Sequence, residues 1–135
     1  MSKPKDTFTV LLAEDELFLS RTFENRLTLE GYTVLLAHDG EDAIQMILKE
    51  KPDLVILDIM MPKMNGYEIC EKLRETSDTR LTPIIMLTAQ SQIKDKLTGL
   101  KIGADDYITK PFNPLELAAR VERIIKRCNE TKTGK

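Results

Sequence analysis

The sequence predicts an α/β fold of the doubly wound type, in which helices cover both faces of a five-stranded parallel sheet. Five short apolar runs alternate with five stretches whose apolar residues recur at helical spacing, and the turns between them are short. The third run, 54–57, is apolar at every position, which is typical of a strand buried on both faces of a parallel sheet. Right-handed crossovers leave few topologies, and the strand order 2-1-3-4-5 fits best if the first strand and the two most apolar strands are central.

Each predicted strand is a short apolar run bounded by polar or turn-forming residues. The five runs are 8–13, 33–37, 54–57, 84–87 and 105–109. The fifth run begins with acidic residues, which suit a strand at the edge of a sheet. We therefore expect the second and fifth strands at the two edges and the other three in the centre.

Each predicted helix carries a stripe of apolar residues. The first helix ends at Gly31, the second begins at Asp39 and the third begins at Asn65. The fourth, at about 92–101, has the thinnest stripe and contains Gly99, which costs about 1 kcal/mol inside a helix. We expect this helix to be the least stable of the five.

The last helix has a complete start signal. Asn113 is the expected N-cap, Pro114 occupies the first helical position and Glu116 is the acid of a capping box. We expect a single domain at 8–128, preceded by a flexible N-terminus at 1–7. The polar residues 129–135 are expected to form a tail or the start of a linker.

Composition excludes several classes of protein. The net charge of −2 shows no basic excess of the kind that nucleic-acid binding requires, so no direct nucleic-acid binding is expected. The chain has no apolar run of about 18 residues, so no membrane span is expected. The N-terminus lacks the apolar stretch of a signal peptide. Cys70 and Cys128 have no ligand or disulfide spacing, so a reducing, cytoplasmic setting is expected. We expect Cys70 in the core and the single histidine, His38, in a solvated loop.

Polar side chains follow four of the predicted strands, and the carboxyl ends of parallel strands share one edge of a sheet. Glu14 and Asp15 follow the first strand, Asp58 the third, Thr88 the fourth and Lys110 the fifth. Each has an ordinary structural explanation on its own, and Asp58 alone fits a turn cap as well as a functional role. Their joint placement on four strand ends favours a site.

The chemistry of this set indicates a hard metal ion and a phosphate. Crowded carboxylates repel one another unless a cation neutralises them, and oxygen ligands without histidine or cysteine select Mg²⁺ or Mn²⁺. A lysine and a hydroxyl beside such a metal suit a tetrahedral anion. A carboxylate held against both can act as a nucleophile and form an aspartyl phosphate.

The motifs at these positions resemble those of receiver domains of two-component response regulators, which have the flavodoxin-like fold of the chemotaxis regulator. The resemblance covers about 8–127. It rests on Glu-Asp at 14–15, Leu-Asp-Ile-Met-Met-Pro at 57–62, Asn-Gly at 65–66, Thr-Ala at 88–89, Gly-Ala-Asp-Asp-Tyr at 103–107 and Lys-Pro-Phe at 110–112. The stretch 103–112 most resembles receivers that carry winged-helix DNA-binding output domains.

The resemblance implies a phosphoacceptor and its metal. Asp58 would take a phosphoryl group from the phosphohistidine of a sensor histidine kinase or a phosphotransfer protein. Mg²⁺ would be bound by Asp15, Asp58 and the main-chain carbonyl of Met60, with Glu14 acting largely through water. Many family members have Asp in place of Glu14, so we expect an altered metal affinity without its loss.

The resemblance also implies a switch. Lys110 would bind one phosphate oxygen, Thr88 would move to hydrogen-bond another, and Tyr107 would turn into the space that Thr88 leaves. The bond between Lys110 and Pro111 is expected to be cis.

The lifetime of the phosphorylated form is expected to depend on two residues that flank the path of the attacking water. Met60 would shield the phosphoryl group, and Gln90 would orient the water. Each lies two residues beyond a site residue, Met60 after Asp58 and Gln90 after Thr88.

In the subfamily with DNA-binding output, the surface formed by the fourth helix, the fifth strand and the fifth helix makes a two-fold dimer. A charged stripe that includes Arg123 lies on the last helix, so a phosphorylation-dependent homodimer is expected, although a solvated helix face is the simpler explanation of the stripe alone. The pairs expected across the axis are Lys96 with Glu116, Asp106 with Arg120, Asp105 with Arg127 and Lys101 with Glu122. The output would be a further domain or a partner protein.

Three other functions compete. A phosphatase of the haloacid dehalogenase type would need a general acid at the position of Met60, and the chain has no length for a cap over a substrate. A flavodoxin-like cofactor binder would place phosphate against Glu14 and Asp15, which would repel it. A degenerate receiver that serves only as a docking module would not need the acid, threonine and lysine set. We therefore expect a signalling domain and not a multiple-turnover enzyme.

Overall fold

A computed structural model describes residues 8–61, 63–88, 103–109 and 112–133 and contains a parallel sheet of five strands in the order β2-β1-β3-β4-β5. The strands are β1 (Thr9–Ala13), β2 (Thr33–Ala37), β3 (Leu54–Asp58), β4 (Ile84–Thr88) and β5 (Asp106–Thr109). The helices are α1 (Leu17–Leu29), α2 (Gly40–Glu50), α3 (Gly66–Glu75) and α4 (Pro114–Thr133). The predicted fold class and strand order are confirmed, whereas the helix predicted at about 92–101 lies outside the described residues.

The central strands divide their side chains between two cores, one on each face of the sheet. Leu54 and Ile56 of β3 enter the core beneath α1 and α4, and Val55 and Leu57 enter the core beneath α2 and α3. All four are fully buried. This alternation explains why β3 is apolar at every position before Asp58, since each fully buried aliphatic side chain contributes about 1.5–3 kcal/mol.

The helix starts follow the local capping chemistry that the sequence encodes. Asn65 and Glu68 form a reciprocal capping box at the start of α3. At the start of α4, the Leu115 amide donates to Asn113 Oδ1 at 2.8 Å, as expected of the N-cap. The Glu116 amide also donates to Asn113 Oδ1, at 3.4 Å, while the Glu116 side chain, predicted as the acid of a capping box there, pairs with Arg120 one turn later, at 3.1 Å.

The last helix is longer than its apolar stripe. α4 continues to Thr133, so most of the predicted polar tail at 129–135 is helical. No glycine or proline follows Pro114 until Gly134, and polar residues of ordinary helix propensity extend the backbone hydrogen-bond ladder without needing a core. Within the described parts of the chain, no helix combines the length and the apolarity needed to cross a bilayer.

Candidate functional site

Three carboxylates meet at the carboxyl edge of the sheet. Glu14 and Asp15 follow β1, and Asp58 is the last residue of β3, the neighbouring strand. One oxygen from each of the three lies within 4.8 Å of the other two. Glu14 is 1% exposed, Asp58 is half-buried and Asp15 is exposed, so the cluster is reached from solvent on one side.

Glu14 is the most confined of the three acids. Its Oε2 accepts a hydrogen bond from the Glu16 amide at 3.0 Å, while Oε1 is buried with no hydrogen-bond partner among the described residues. Burial, together with the charges of Asp58 and Asp15, raises the pKa of Glu14 to about 8, although the Glu16 amide lowers it. A buried carboxylate oxygen that faces two further acids fits a site built for a hard cation such as Mg²⁺ or Mn²⁺.

Asp58 is oriented by the loop that follows it. The Met60 amide donates to Asp58 Oδ1 at 3.0 Å, and the Ile59 amide donates to the Leu87 carbonyl of β4 at 3.1 Å. Ile59 is buried whereas Met60 is 66% exposed. The loop therefore turns back over the strand end and brings the Met60 main chain next to the acidic cluster.

Thr88 ends β4, the strand that pairs with β3, and Asp58 lies opposite Leu87 in the register of the two strands. Thr88 is 2% exposed. Tyr107 lies on β5, half-buried, and packs against the core on the α2 and α3 face. The structure thus describes both residues of the expected switch in adjacent strands. Lys110, Pro111 and Gln90, and with them the expected cis bond, lie outside the described residues.

The charged surface on β5 and α4 is connected within the single chain. Asp106 accepts a hydrogen bond from Arg120 Nη1 at 2.7 Å and from Arg123 Nη2 at 3.0 Å. Asp105, expected to face Arg127 of a second chain, pairs with Arg74 of α3 at 3.1 Å. Among the other expected dimer residues, Glu122 and Arg127 are exposed, and Lys96 and Lys101 lie outside the described residues.

Arg74 was not singled out from the sequence. Its guanidinium donates to three main-chain carbonyls, those of Arg80, Thr82 and Gly103, and to the Asp105 carboxylate. The sequence does not reveal this role, because a single arginine forms no pattern and most of its acceptors are main-chain atoms. The other expectations for isolated residues hold, because Cys70 is buried in the core and His38 is exposed.

The sequence model of the response regulator receiver domain family matches residues 10–122. A protein of Pyropia yezoensis named "Probable transcriptional regulator ycf27" is 48% identical over 125 residues, which cover 93% of this chain and 50% of that protein. PhoP of Bacillus subtilis (strain 168), the alkaline phosphatase synthesis transcriptional regulatory protein, is 45% identical over 118 residues, covering 87% of this chain and 48% of PhoP. The chain spans about half the length of these relatives.

Solved structures show the same fold. The receiver domain of the Francisella response regulator 1452 superimposes with a TM-score of 0.84 at 34% identity, covering 90% of this chain and 99% of that one. The chemotaxis response regulator CheY4 of Vibrio cholerae gives a TM-score of 0.82 at 33% identity, covering 87% of this chain and 98% of CheY4.

Proposed function

Because the chain belongs to the receiver domain family of two-component response regulators, we propose that Asp58 is its phosphoacceptor. The observation that carries the proposal is the position of Asp58 at the end of a central strand, within 4.8 Å of the oxygens of Glu14 and Asp15. In this family the phosphoryl group comes from a histidine, so the proposed donor is the phosphohistidine of a sensor histidine kinase or a phosphotransfer protein.

The transfer needs little from the protein beyond position and charge. An oxygen of the Asp58 carboxylate forms a bond to phosphorus, the bond from phosphorus to the histidine nitrogen breaks, and its electron pair stays on the imidazole. The Met60 amide fixes the carboxylate by donating to Oδ1. Thr88 is proposed to hydrogen-bond one phosphoryl oxygen, and Lys110 to bind another.

A divalent metal is required because the site is already negative before the phosphoryl group arrives. Receiver domains bind Mg²⁺ through an acidic cluster, and here Glu14, Asp15 and Asp58, with the main-chain carbonyl of Met60, are the groups that would hold it. Mg²⁺, or Mn²⁺ in its place, would neutralise the carboxylates and the charge of the incoming phosphoryl oxygens. As in the family, Glu14 would act largely through a water ligand, which its side chain, longer than that of Asp, can still reach.

The phosphorylated state is proposed to act as a signal and not as a step in turnover on an external substrate. Movement of Thr88 and Tyr107 would transmit it to the face formed by the predicted fourth helix, β5 and α4. Met60 and Gln90 would set the lifetime by shielding the phosphoryl group and orienting the attacking water. Since both relatives are named as transcriptional regulators, we propose that the signal controls transcription through an output domain or a partner protein.

A phosphatase of the haloacid dehalogenase type is the second candidate considered. It would use a second acid two residues after its nucleophile to protonate the leaving group. Met60 occupies that position, and its side chain cannot transfer a proton.

The proposal is tested by phosphorylation with acetyl phosphate and Mg²⁺. We expect the intact mass to rise by about 80 Da, the mass of one phosphoryl group, and peptide mapping to place the increase on Asp58. Asp58→Asn should abolish the increase, and so should EDTA, whereas Asp78→Asn, at an exposed site remote from the cluster, should leave it unchanged. Labelling of Asp58→Asn at the rate of the unsubstituted protein would reject the assignment.

A further inference from the structure

The loop after Asp58 packs closely onto the first residue of α2. A Cβ atom added at Gly40 would overlap the main-chain oxygen, the carbonyl carbon and the Cβ of Met64. Glycine is needed there for space and not for conformation, because Gly40 is not among the residues with positive φ. The backbone of the loop therefore rests against the N-terminus of α2 at a point where no side chain fits.

Charged side chains flank the same contact. The Lys63 ammonium lies 3.6 Å from the Asp39 carboxylate and 3.9 Å from that of Glu41, the residues on either side of Gly40. The Asp42 amide, which donates to Asp39, and the nearby Lys63 ammonium hold the pKa of Asp39 below its usual range. Exposed ion pairs contribute little to stability, so the steric contact at Gly40 is the firmer part of the junction.

Lys63 adopts an uncommon backbone conformation at this junction. Its φ of 71° lies in the left-handed region, which is unfavourable for a residue with a Cβ. This conformation turns the chain so that Met64 reaches Gly40 while the Lys63 side chain reaches back to Asp39. The packing of the loop against α2 compensates for the strain.

A second close contact, at Gly66, fixes the end of the loop where α3 begins. A Cβ at Gly66 would come within 2.9 Å of the Asp58 carbonyl oxygen and 3.0 Å of Ile59 Cα, and the Gly66 amide donates to the Ile59 carbonyl at 3.1 Å. Ile59 and Met61 are buried in the core on the α2 and α3 face. Met60 thus lies on a short segment that is held between two glycine contacts and two buried side chains.

We propose that Gly40 is a positioning residue for the metal site: it lets α2 hold the loop in the conformation that presents the Met60 carbonyl. This inference rests on the proposed function, because it assumes a divalent cation at the acidic cluster. The three atoms nearest to an added Cβ all belong to Met64, so this outer contact involves none of the three carboxylates. Loss of such an outer contact typically weakens metal affinity by about 10–100-fold.

The first test compares Gly40→Ala with Gly31→Ala. Gly31 has a φ of 104° and nothing within 4 Å of an added Cβ, so its substitution strains the backbone without touching the loop. The dissociation constant for Mg²⁺ is measured by calorimetry, and that for Mn²⁺ by the EPR signal of the free ion, at a temperature where each variant is folded. We expect Gly40→Ala to raise both constants about tenfold or more, and Gly31→Ala to leave them within a factor of two despite lower stability.

The second test can be carried out even if Gly40→Ala does not fold, because it uses other variants. Lys63 and Lys51 are the two non-glycine residues with positive φ in the described structure, and Lys51, at the end of α2, pairs only with Asp78 at 3.7 Å. Lys63→Gly and Lys51→Gly relieve the same kind of backbone strain; the first removes two exposed ion pairs and the second removes one. We expect both variants to keep a similar stability and only Lys63→Gly to bind Mg²⁺ several-fold more weakly.

The outcomes separate the two proposals. If the unsubstituted protein binds neither Mg²⁺ nor Mn²⁺, the proposed metal site itself is wrong. If it binds them and a folded Gly40→Ala binds them with the same constants as Gly31→Ala, the metal site stands and the positioning role of Gly40 is rejected. If Gly40→Ala does not fold, equal constants for Lys63→Gly and Lys51→Gly reject a positioning role for the whole junction between the loop and α2.

Discussion

At the scale of single residues, Glu14 shows most directly how function opposes stability in this domain. The side chain is buried, one of its oxygens has no hydrogen-bond partner among the described residues, and two acids lie beside it. Burial is the main reason that its pKa rises from 4.5 to about 8, and the charge of Asp58 adds to it. Without a cation, ionisation of the Glu14 carboxyl group is unfavourable in the folded state, whereas neither burial nor the neighbouring acids oppose its ionisation in the unfolded chain.

Glu14→Gln should therefore stabilise the metal-free protein at alkaline pH. Between pH 4.5 and 8 the folded state retains a proton on Glu14 that the unfolded chain has released, so stability from this group is lost as the pH rises through that window. Glutamine keeps the shape of the protonated acid and does not ionise. We expect a gain of about 1–3 kcal/mol at pH 8.5 and little gain at pH 5, measured by urea unfolding in EDTA.

Glu50→Gln, at the exposed end of α2, is the matched control and should show no such dependence. In the presence of Mg²⁺ the gain from Glu14→Gln should shrink or reverse, because the metal stabilises only the ionised site. An equal effect of Glu14→Gln at both pH values would show that burial does not govern the ionisation of Glu14.

At the scale of secondary-structure elements, the sequence predicts strands and helices, which local residue patterns encode. It does not reveal contacts that are made through main-chain atoms. The strands and described helices were predicted within a few residues, because their apolar spacing and caps are local properties. The helical conformation of 129–133 was not predicted, since the last turns of α4 have no apolar stripe. Arg74 was missed because it binds carbonyls of segments that are distant along the chain, and the contact of Gly40 with Met64 was missed because it involves no side-chain pattern.

Arg74→Lys should destabilise the fold, although it conserves the charge. The Arg74 side chain is 21% exposed, and it donates two hydrogen bonds to the Gly103 carbonyl, at 2.7 and 3.0 Å, besides those to Arg80, Thr82 and Asp105. A lysine has no planar fork and cannot serve these acceptors together. Part-buried carbonyls would be left without donors, so we expect a loss of about 2–4 kcal/mol in the free energy of unfolding by urea.

Arg123→Lys is the control for this change. Arg123 is 66% exposed and, among the described residues, pairs with Asp106 alone, so we expect its substitution to cost less than about 0.5 kcal/mol. Equal losses in the two variants would mean that the hydrogen bonds of Arg74 contribute no more than an exposed ion pair.

At the scale of the whole molecule, sheet topology brings the site together. Glu14, Asp58 and Thr88 are far apart in the chain, and they meet because parallel strands end at one edge. This is why the candidate site was predictable from residues placed after strands. The partners of charges on one surface were not predictable in the same way, since a sequence does not distinguish an ion pair within one chain from a pair between two chains. Asp106 with Arg120 was expected between chains, and here it forms within one.

The intrachain pairing bears on the oligomeric state. Asp106 is already paired with Arg120 and Arg123, and Glu116 with Arg120, so a dimer through this face would exchange partners of equal charge. Such an exchange contributes little affinity and serves mainly to set register. The free energy for association should then come from the change that we propose phosphorylation to produce at Thr88 and Tyr107.

We therefore expect a monomer without a phosphoryl group and a dimer with beryllofluoride and Mg²⁺, measured by sedimentation velocity. Arg120→Glu should weaken the dimer about tenfold or more, because it places an acid beside Asp106 and Glu116 in either pairing. Lys49→Glu, a charge reversal on α2 across the sheet from α4, should leave dimerisation unchanged. If the protein with bound beryllofluoride stays monomeric up to several hundred micromolar, the charges of α4 form a solvated face and the output passes to a different protein.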